Sequence, residues 1–209
     1  MASRTTSTSS SRPKLSSSSK RRRLAVALVF AGLSAAAAPA PVTYRFDPDQ
    51  TFVTFEVRHF GTSTLRGRIG PVQGEAQIDR AAGTGDLRLR IPVGTVDTGV
   101  PALDARLREP DLLAAKEYPE AYYIATRFRF DGDQVAEVRG EFILRGTSEP
   151  LSLVARRFGC RRDERLHAEV CGGDFEGDLQ RGRFGATFGE PFVSDDVHLV
   201  VQVEGLAQN

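Results

Sequence analysis

From Tyr44 onward, apolar and polar residues alternate along the chain with a period of two. In the first such run, Val53, Phe55 and Val57 alternate with Thr54 and Glu56. Because successive side chains of a strand point to opposite faces, this pattern predicts a strand with one apolar and one solvated face. The glycines that follow predict a turn and a second strand running back: Gly61, Gly67, Gly70 and Gly74.

The same alternation recurs later in the chain, and its inward members are predicted to be Leu87, Leu89, Ile91 and Val93, then Val138, Gly140, Phe142 and Leu144, then Leu151 and Leu153, then Leu166, Ala168 and Val170, and finally Val197, Leu199, Val201 and Val203. Asp131-Gly132 lies between two of these runs and predicts a tight hairpin. Tyr122 and Tyr123 are both large but have opposite parity, and a β-bulge in the strand 120–130 would reconcile them.

One segment departs from the strand pattern. Leu103 and Leu107 are four residues apart after Pro101, which suits a first helical position, so we expect one short helix that Pro110 interrupts. A further turn is expected at 111–115. About eight antiparallel strands with one short helical insertion predict an all-β sandwich or closed barrel. An eight-stranded barrel is either filled by side chains or holds one small ligand, and periodicity does not distinguish the two.

Residues 1–37 resemble an export signal. The basic run 20–23 precedes an apolar stretch of about ten residues and then an alanine tract, with cleavage expected near 35–37. The stretch is shorter than the ~20 residues that span a bilayer, although an uncleaved anchor is the alternative, and the arginines leave a twin-arginine route open. Residues 38–43 are then a linker, and 44–206 form one domain exported to the periplasm or secreted.

Removing 1–37 changes the charge of the chain. The whole sequence carries 28 basic and 27 acidic residues, but 38–209 carry 21 basic and 27 acidic, a net charge of −6. A nucleic-acid partner is therefore not expected. His59, His167 and His198 share no metal-ligand spacing, and no serine lies in a Gly-x-Ser-x-Gly motif, so neither a metal site nor nucleophilic catalysis is predicted.

Cys160 and Cys171 are the two cysteines of the chain. In an oxidising compartment, two cysteines that close a short loop are most simply explained by a disulfide. Two buried thiols and a redox pair are the alternatives, and the spacing differs from the C-x-x-C of redox motifs.

Four blocks in order resemble the YceI-like family of exported, lipocalin-like proteins associated with polyisoprenoid lipids. They are Asp47-Pro48 with the first strand, His59 and Gly61; Asp97-Thr98-Gly99 leading to Asp104, Leu107 and Tyr118-Pro119; Gly140 to Pro150; and Arg181-Gly-Arg-Phe184-Gly185. The chain departs from the family pattern at Asp49-Gln50, Arg106, Leu112-Leu113 and Arg145.

The resemblance implies a single antiparallel, eight-stranded, lipocalin-like barrel that binds a long isoprenoid tail, of the quinone or polyprenyl phosphate type, without catalysis and with no other cofactor. The residues expected to contact the tail are Val53, Phe55, Val57, Leu87, Leu89, Ile91, Leu103, Leu107, Phe142, Leu144, Leu151 and Leu153. His59 and Arg106 are expected at the rim or near the lipid head group. An exported enzyme with a site at the barrel mouth is the alternative function, and transient membrane or membrane-protein contact and a homodimer remain open.

Overall fold

The computed structural model describes residues 40–208. Ten strands are formed: β1 Val42–Phe46, β2 Phe52–His59, β3 Ser63–Ile69, β4 Gln73–Asp79, β5 Thr84–Pro92, β6 Glu120–Asp131, β7 Gln134–Leu144, β8 Thr147–Asp163, β9 Ala168–Gln180 and β10 Val193–Gln208. One α-helix, α1, covers Pro101–Leu107, and short 3₁₀ turns cover Val93–Thr95 and Arg181–Phe184. The predicted export signal at 1–37 lies outside the described residues.

The sheet closes on itself through β1. Each strand pairs antiparallel with the next in the order β1-β4-β5-β6-β7-β8-β9-β10, and β10 pairs back to β1. This ring has eight members, which confirms the predicted eight-stranded antiparallel barrel with one short helix. The remaining hairpin, β2–β3, is attached to the other half of β10.

Two of the barrel strands are interrupted. The 16-residue β10 pairs with β1 near its end, at Gly205–Gln208, and with β2 further up, so β1 and β2 act as two halves of one strand. β3 and β4 are likewise two halves of the neighbouring strand. The break between β1 and β2 and the break between β3 and β4 are joined by a hydrogen bond, in which the Val72 amide donates to the Thr51 carbonyl at 2.9 Å. Thr51 and Val72 are fully buried.

The predicted hairpin and bulge are present, but Leu166, which was expected to face inward, lies in the turn before β9 and is 53% exposed. Asp131 pairs with Gln134 around a two-residue turn, and Gly132 has the positive φ of 57° that such a turn requires. In β6 the register shifts between Ala125 and Arg127, which is the predicted bulge. Tyr123 points inward, Tyr122 outward, and the bulge resets the alternation of the residues that follow.

The helix follows from local chemistry as well as from spacing. Pro101 occupies its first turn, where a missing amide hydrogen costs nothing. Asp104 turns back and accepts hydrogen bonds from the Thr98 amide at 2.7 Å and the Thr98 hydroxyl at 2.6 Å. The Thr98 hydroxyl bond holds the pKa of Asp104 below its ordinary value. Among the described residues, no helix is long and apolar enough to cross a membrane.

The structure contains the Cys160–Cys171 disulfide, with an S–S distance of 2.05 Å. The two cysteines are direct partners across β8 and β9. Arg80 reaches over the bond, and its Nη2 lies 3.1 Å from Cys160 Sγ and 3.2 Å from Cys171 Sγ. The same nitrogen donates to Glu169 at 3.1 Å, and the Tyr44 hydroxyl also donates to Glu169. This end of the barrel is therefore held by a covalent bond and a charged cluster.

Reducing the disulfide should lower the free energy of unfolding by about 3 kcal/mol, because the bond closes a short loop in the unfolded chain. Urea unfolding with and without a reductant measures this difference, with alkylation to show that both thiols are free. In the control variant Cys160→Ala/Cys171→Ala, the reductant should leave the midpoint unchanged. An unchanged midpoint in fully reduced wild-type protein would contradict the expectation.

Candidate ligand-binding site

The barrel interior holds two apolar cavities, one above the other. The upper cavity, of about 120 Å³, lies under α1 and the loops at the open end. The lower cavity, of about 50 Å³, lies toward the disulfide end and includes Cys171 in its wall. A cavity of ~150 Å³ accommodates one benzene molecule, so the upper cavity has room for about one isoprene unit.

Most residues predicted to contact a tail line one of these cavities. The upper cavity is lined by the predicted residues Val53, Phe55, Val57, Ile91, Leu107, Phe142 and Leu144. The lower cavity is lined by the predicted residues Leu87, Leu89 and Leu153. Leu151 is buried between the cavities and lines neither, and Leu103 is half-buried on α1, away from both walls.

Sequence reasoning missed much of the lining. The upper cavity also includes Ile69, Val93, Leu112, Leu113, Ala121, Leu179, Arg181, Ala186, Val197 and Leu199. The lower cavity also includes Tyr44, Phe46, Ala76, Ile78, Phe128, Val135, Val138, Phe158, Cys171, Phe175, Val201 and Val203. The alternation along β10 indicates that Val197, Leu199, Val201 and Val203 face inward, so these four could have been predicted to line the interior. The loop residues gave no such signal, since a loop has no fixed period.

Two arginines hold the loops that cover the upper cavity. Arg181 is buried, and its guanidinium donates to the backbone carbonyls of Ser194, Ala186, Phe188 and Val193. Arg145 donates to the carbonyls of Pro110 and Leu112. Its Nε is buried with no hydrogen-bond partner among the described residues. The cover of the mouth is therefore fixed by charge-assisted hydrogen bonds to backbone rather than by strand pairing.

The two predicted rim residues lie at the open end of the barrel, but in different settings. Arg106 pairs with Asp111 through two 2.6 Å bonds and lies 3.7 Å from the centre of the Phe188 ring. These bonds raise the pKa of Arg106 and lower the pKa of Asp111. His59 ends β2, and its ring packs edge-on against Phe60. No carboxylate partner of His59 is found in the described part of the chain.

Within residues 40–208, the side-chain clusters that resemble a metal site are already engaged in other bonds. Cys160, Glu169 and Cys171 are close enough together to bind an ion, but the two sulfurs are bonded to each other. His198 lies on the outer surface of the barrel. Its Nδ1 is 2.8 Å from Asp178 and its Nε2 is 3.4 Å from Glu176, which is itself paired with Arg156. This is a surface ion-pair cluster, and mainly the Asp178 bond raises the pKa of His198.

The fold and the interior together define a class: closed antiparallel barrels of a size that encloses one small apolar ligand. Residues 44–205 match the family model described as the YceI-like domain. The chain therefore belongs to the YceI-like family.

A curated relative agrees with this assignment, and two solved structures share the fold. The chain is 29% identical over 168 residues to Protein YceI of Escherichia coli O157:H7, covering 79% of this chain and 87% of that protein. The crystal structure of Burkholderia cenocepacia BcnA superposes with a TM-score of 0.62 at 18% identity, covering 76% of this chain and 98% of that one. A polyisoprenoid binding domain from Saccharophagus degradans, implicated in plant cell wall breakdown, gives 0.59 at 15% identity, covering 79% and 98%.

The His198 cluster should make stability depend on pH near neutrality. A raised pKa means that the folded state holds the proton more tightly, so this stabilisation is complete below about pH 6.5 and is lost as the pH rises through the folded-state pKa. The urea concentration at the unfolding midpoint should therefore fall as the pH is raised from 6 to 8. His198→Gln and Asp178→Asn should each flatten the change. A wild-type slope that survives in both variants would assign it to other groups.

Proposed function

We propose that this chain is an exported, non-enzymatic binding protein that holds a long-chain isoprenoid lipid, of the quinone or polyprenyl phosphate type, as carrier or reservoir. The observation that carries the proposal is the apolar interior beneath a loop-covered mouth. Among the described lining residues, Arg181 is the one with a charged side chain. The polyisoprenoid binding domain named above has the same fold and supports the choice of ligand.

Burial of the tail would supply the affinity. Each buried CH₂ group contributes about 0.8 kcal/mol, so one five-carbon unit contributes about 4 kcal/mol before any cost of rearrangement. A tail of several units needs more room than the upper cavity provides. Binding must therefore widen the interior. We expect the loops at 108–119 and 185–192 to be the segments that move, because they are held by arginine side chains and turn hydrogen bonds and not by strand pairing.

Export supports the same assignment. The predicted signal at 1–37 and the Cys160–Cys171 bond fit an oxidising compartment. A carrier that moves an isoprenoid lipid through such a compartment would need an interior that shields apolar carbons from water.

The enzymatic alternative at the barrel mouth rests on His59. Within the described residues, the His59 ring contacts Phe60 and no acid, so the pairing that would orient a general base is not formed there. The binding function is therefore the better-supported conclusion.

Phe55→Arg should abolish tail binding, because Phe55 lines the upper cavity and a guanidinium there would have to be desolvated by the tail. The measurement has two parts. Protein purified after export is extracted with solvent and analysed by mass spectrometry, and delipidated protein is titrated with a prenol, a prenyl phosphate and a prenylated benzoquinone. Wild type should carry and rebind an isoprenoid, and the variant should bind at least tenfold more weakly.

The matched control is Ile124→Arg, which adds the same charge on the exposed outer face of β6 and should bind as wild type. If Phe55→Arg does not fold, Val57→Phe tests the same wall by filling the cavity with an apolar ring. Wild type that neither co-purifies with a lipid nor binds any of the three probes would refute the proposal.

A further inference from the structure

The two cavities are separated by a layer of side chains at the middle of the barrel. On β5, Ile91 lines the upper cavity and Leu89 the lower, and on β10 the same is true of Leu199 and Val201. On β6, Ala121 lines the upper cavity and the next inward residue, Tyr123, lines neither. Tyr123 is paired with Leu89 of the lower cavity on one side and with Phe142 of the upper cavity on the other, so it lies at the boundary between them.

Tyr123 is the largest side chain of this layer. It is 1% exposed, and its single hydroxyl proton is shared between the Val138 carbonyl at 2.9 Å and the Leu151 carbonyl at 3.1 Å. Those carbonyls belong to β7 and β8, so the side chain extends from β6 across the width of β7. Gly140 of β7 lies between Ala125 and Leu151, and a methyl group there would lie 2.6 Å from Ala125 Cβ, so this part of the layer is closely packed.

The hydroxyl bonds fix the ring in place. A buried hydroxyl that loses its partner costs about 1–3 kcal/mol, so swinging the ring aside carries a penalty that an aliphatic residue would not have. Burial raises the pKa of Tyr123, which keeps the hydroxyl protonated and able to donate.

The rest of the layer is closely packed but smaller. Leu151, Thr51 and Val72 are buried at this level. On the adjacent strand β9, Gly177 leaves no free volume, because a methyl group there would lie 3.3 Å from Leu151 Cδ1 and 2.9 Å from Leu153 Cδ2. Removing the Tyr123 ring is therefore the single change that would open the most space between the cavities.

We propose that Tyr123 sets the length of isoprenoid tail that the barrel accepts: the tail enters from the mouth, fills the upper cavity, and stops at the Tyr123 ring. This inference rests on the proposed function. Along β7, the upper cavity is lined from Phe142 to Leu144 and the lower cavity from Val138 to Val135, which are about 7 Å and 10 Å of strand. Opening the layer would more than double the depth available to a tail.

The proposal makes affinity depend on tail length in a specific way. In wild type, carbons beyond the depth of the upper compartment stay in water, so affinity should rise along a series of prenols and then level off. In Tyr123→Ala the rise should continue, and each further isoprene unit that enters the lower compartment should strengthen binding about tenfold or more.

The experiment titrates delipidated protein with linear prenols of increasing length, from geraniol through farnesol and geranylgeraniol to longer homologues. Tyr123→Phe is the matched control, because it keeps the ring and removes only the hydroxyl, and its affinity should level off at or slightly above the wild-type length. Phe175→Leu enlarges the lower cavity without touching the layer and should level off where wild type does. Tyr123→Leu replaces the alanine variant if that variant does not fold.

A second measurement uses wild-type protein alone. A prenol carrying a photoreactive diazirine at its tail end should label residues of the upper cavity and Tyr123, and should not label Phe175 or Val201. Labelling of those two residues would overturn the proposal.

The outcomes separate the two proposals. Levelling off in wild type with a continued rise in Tyr123→Ala supports Tyr123 as the length determinant. An affinity that rises along the whole series equally in wild type and variant overturns it and leaves the lipid-binding function in place. Failure of wild type to bind any prenol removes the proposed function itself.

Discussion

The pairing of β10 with two different partners is the constraint on which the structure depends. Its end pairs with β1 and closes the eight-membered ring, while its first part pairs with β2. Since β2 carries β3 with it, the upper half of the wall ends at β3 and does not continue into β5. A single bridge, Arg68 with Asp97, links β3 to the segment that follows β5. The gap is covered by the 93–119 segment, so the mouth exists because the ring closes only in its lower half.

This arrangement explains why the two ends of the interior differ in polar contacts. Strand residues repeat with a period of two, so every inward position in the lower half can be apolar. The mouth is covered by loops, whose carbonyls have no strand partners and must be hydrogen-bonded in some other way. Arg181 and Arg145 do this for four loop carbonyls between them, and Arg181 also bonds the carbonyls of Val193 and Ser194, where the register of β10 is interrupted. A buried positive charge beside an apolar cavity is thus a consequence of the break in the wall.

The sequence predicted the strands well because periodicity is a local property. The short helix, the hairpin at Asp131-Gly132 and the bulge near Tyr123 are all present, since each depends on neighbouring residues. The division of two strands at Asp47–Thr51 and Gly70–Val72 was not predicted. It depends on how β10 is shared between partners far apart in sequence, which no local pattern reports.

The candidate site was predictable only in part for the same reason. Val57 and Leu153 both alternate with polar neighbours and are both predicted to face inward. They line different cavities, because their level along the barrel axis is set by register and strand tilt. Leu151 carries the signal of a lining residue and instead packs into the layer between the cavities. Tyr123 was visible only as one member of an ambiguous pair, and its role depends on carbonyls of two other strands.

The two ends of the barrel also differ in what would have to break for a ligand to enter. At the lower end, entry would require parting Cys160 from Cys171 or separating Arg80 and Tyr44 from Glu169. At the mouth, it requires displacing loops whose bonds are individually about 1.5–3 kcal/mol and can be remade to water. Entry from the mouth is therefore the lower-cost route. A tail that enters there meets the Tyr123 layer, and the rigid half of the barrel lies behind that layer. The position of the layer along the barrel, rather than the flexibility of the loops, would therefore limit how much of the tail is buried.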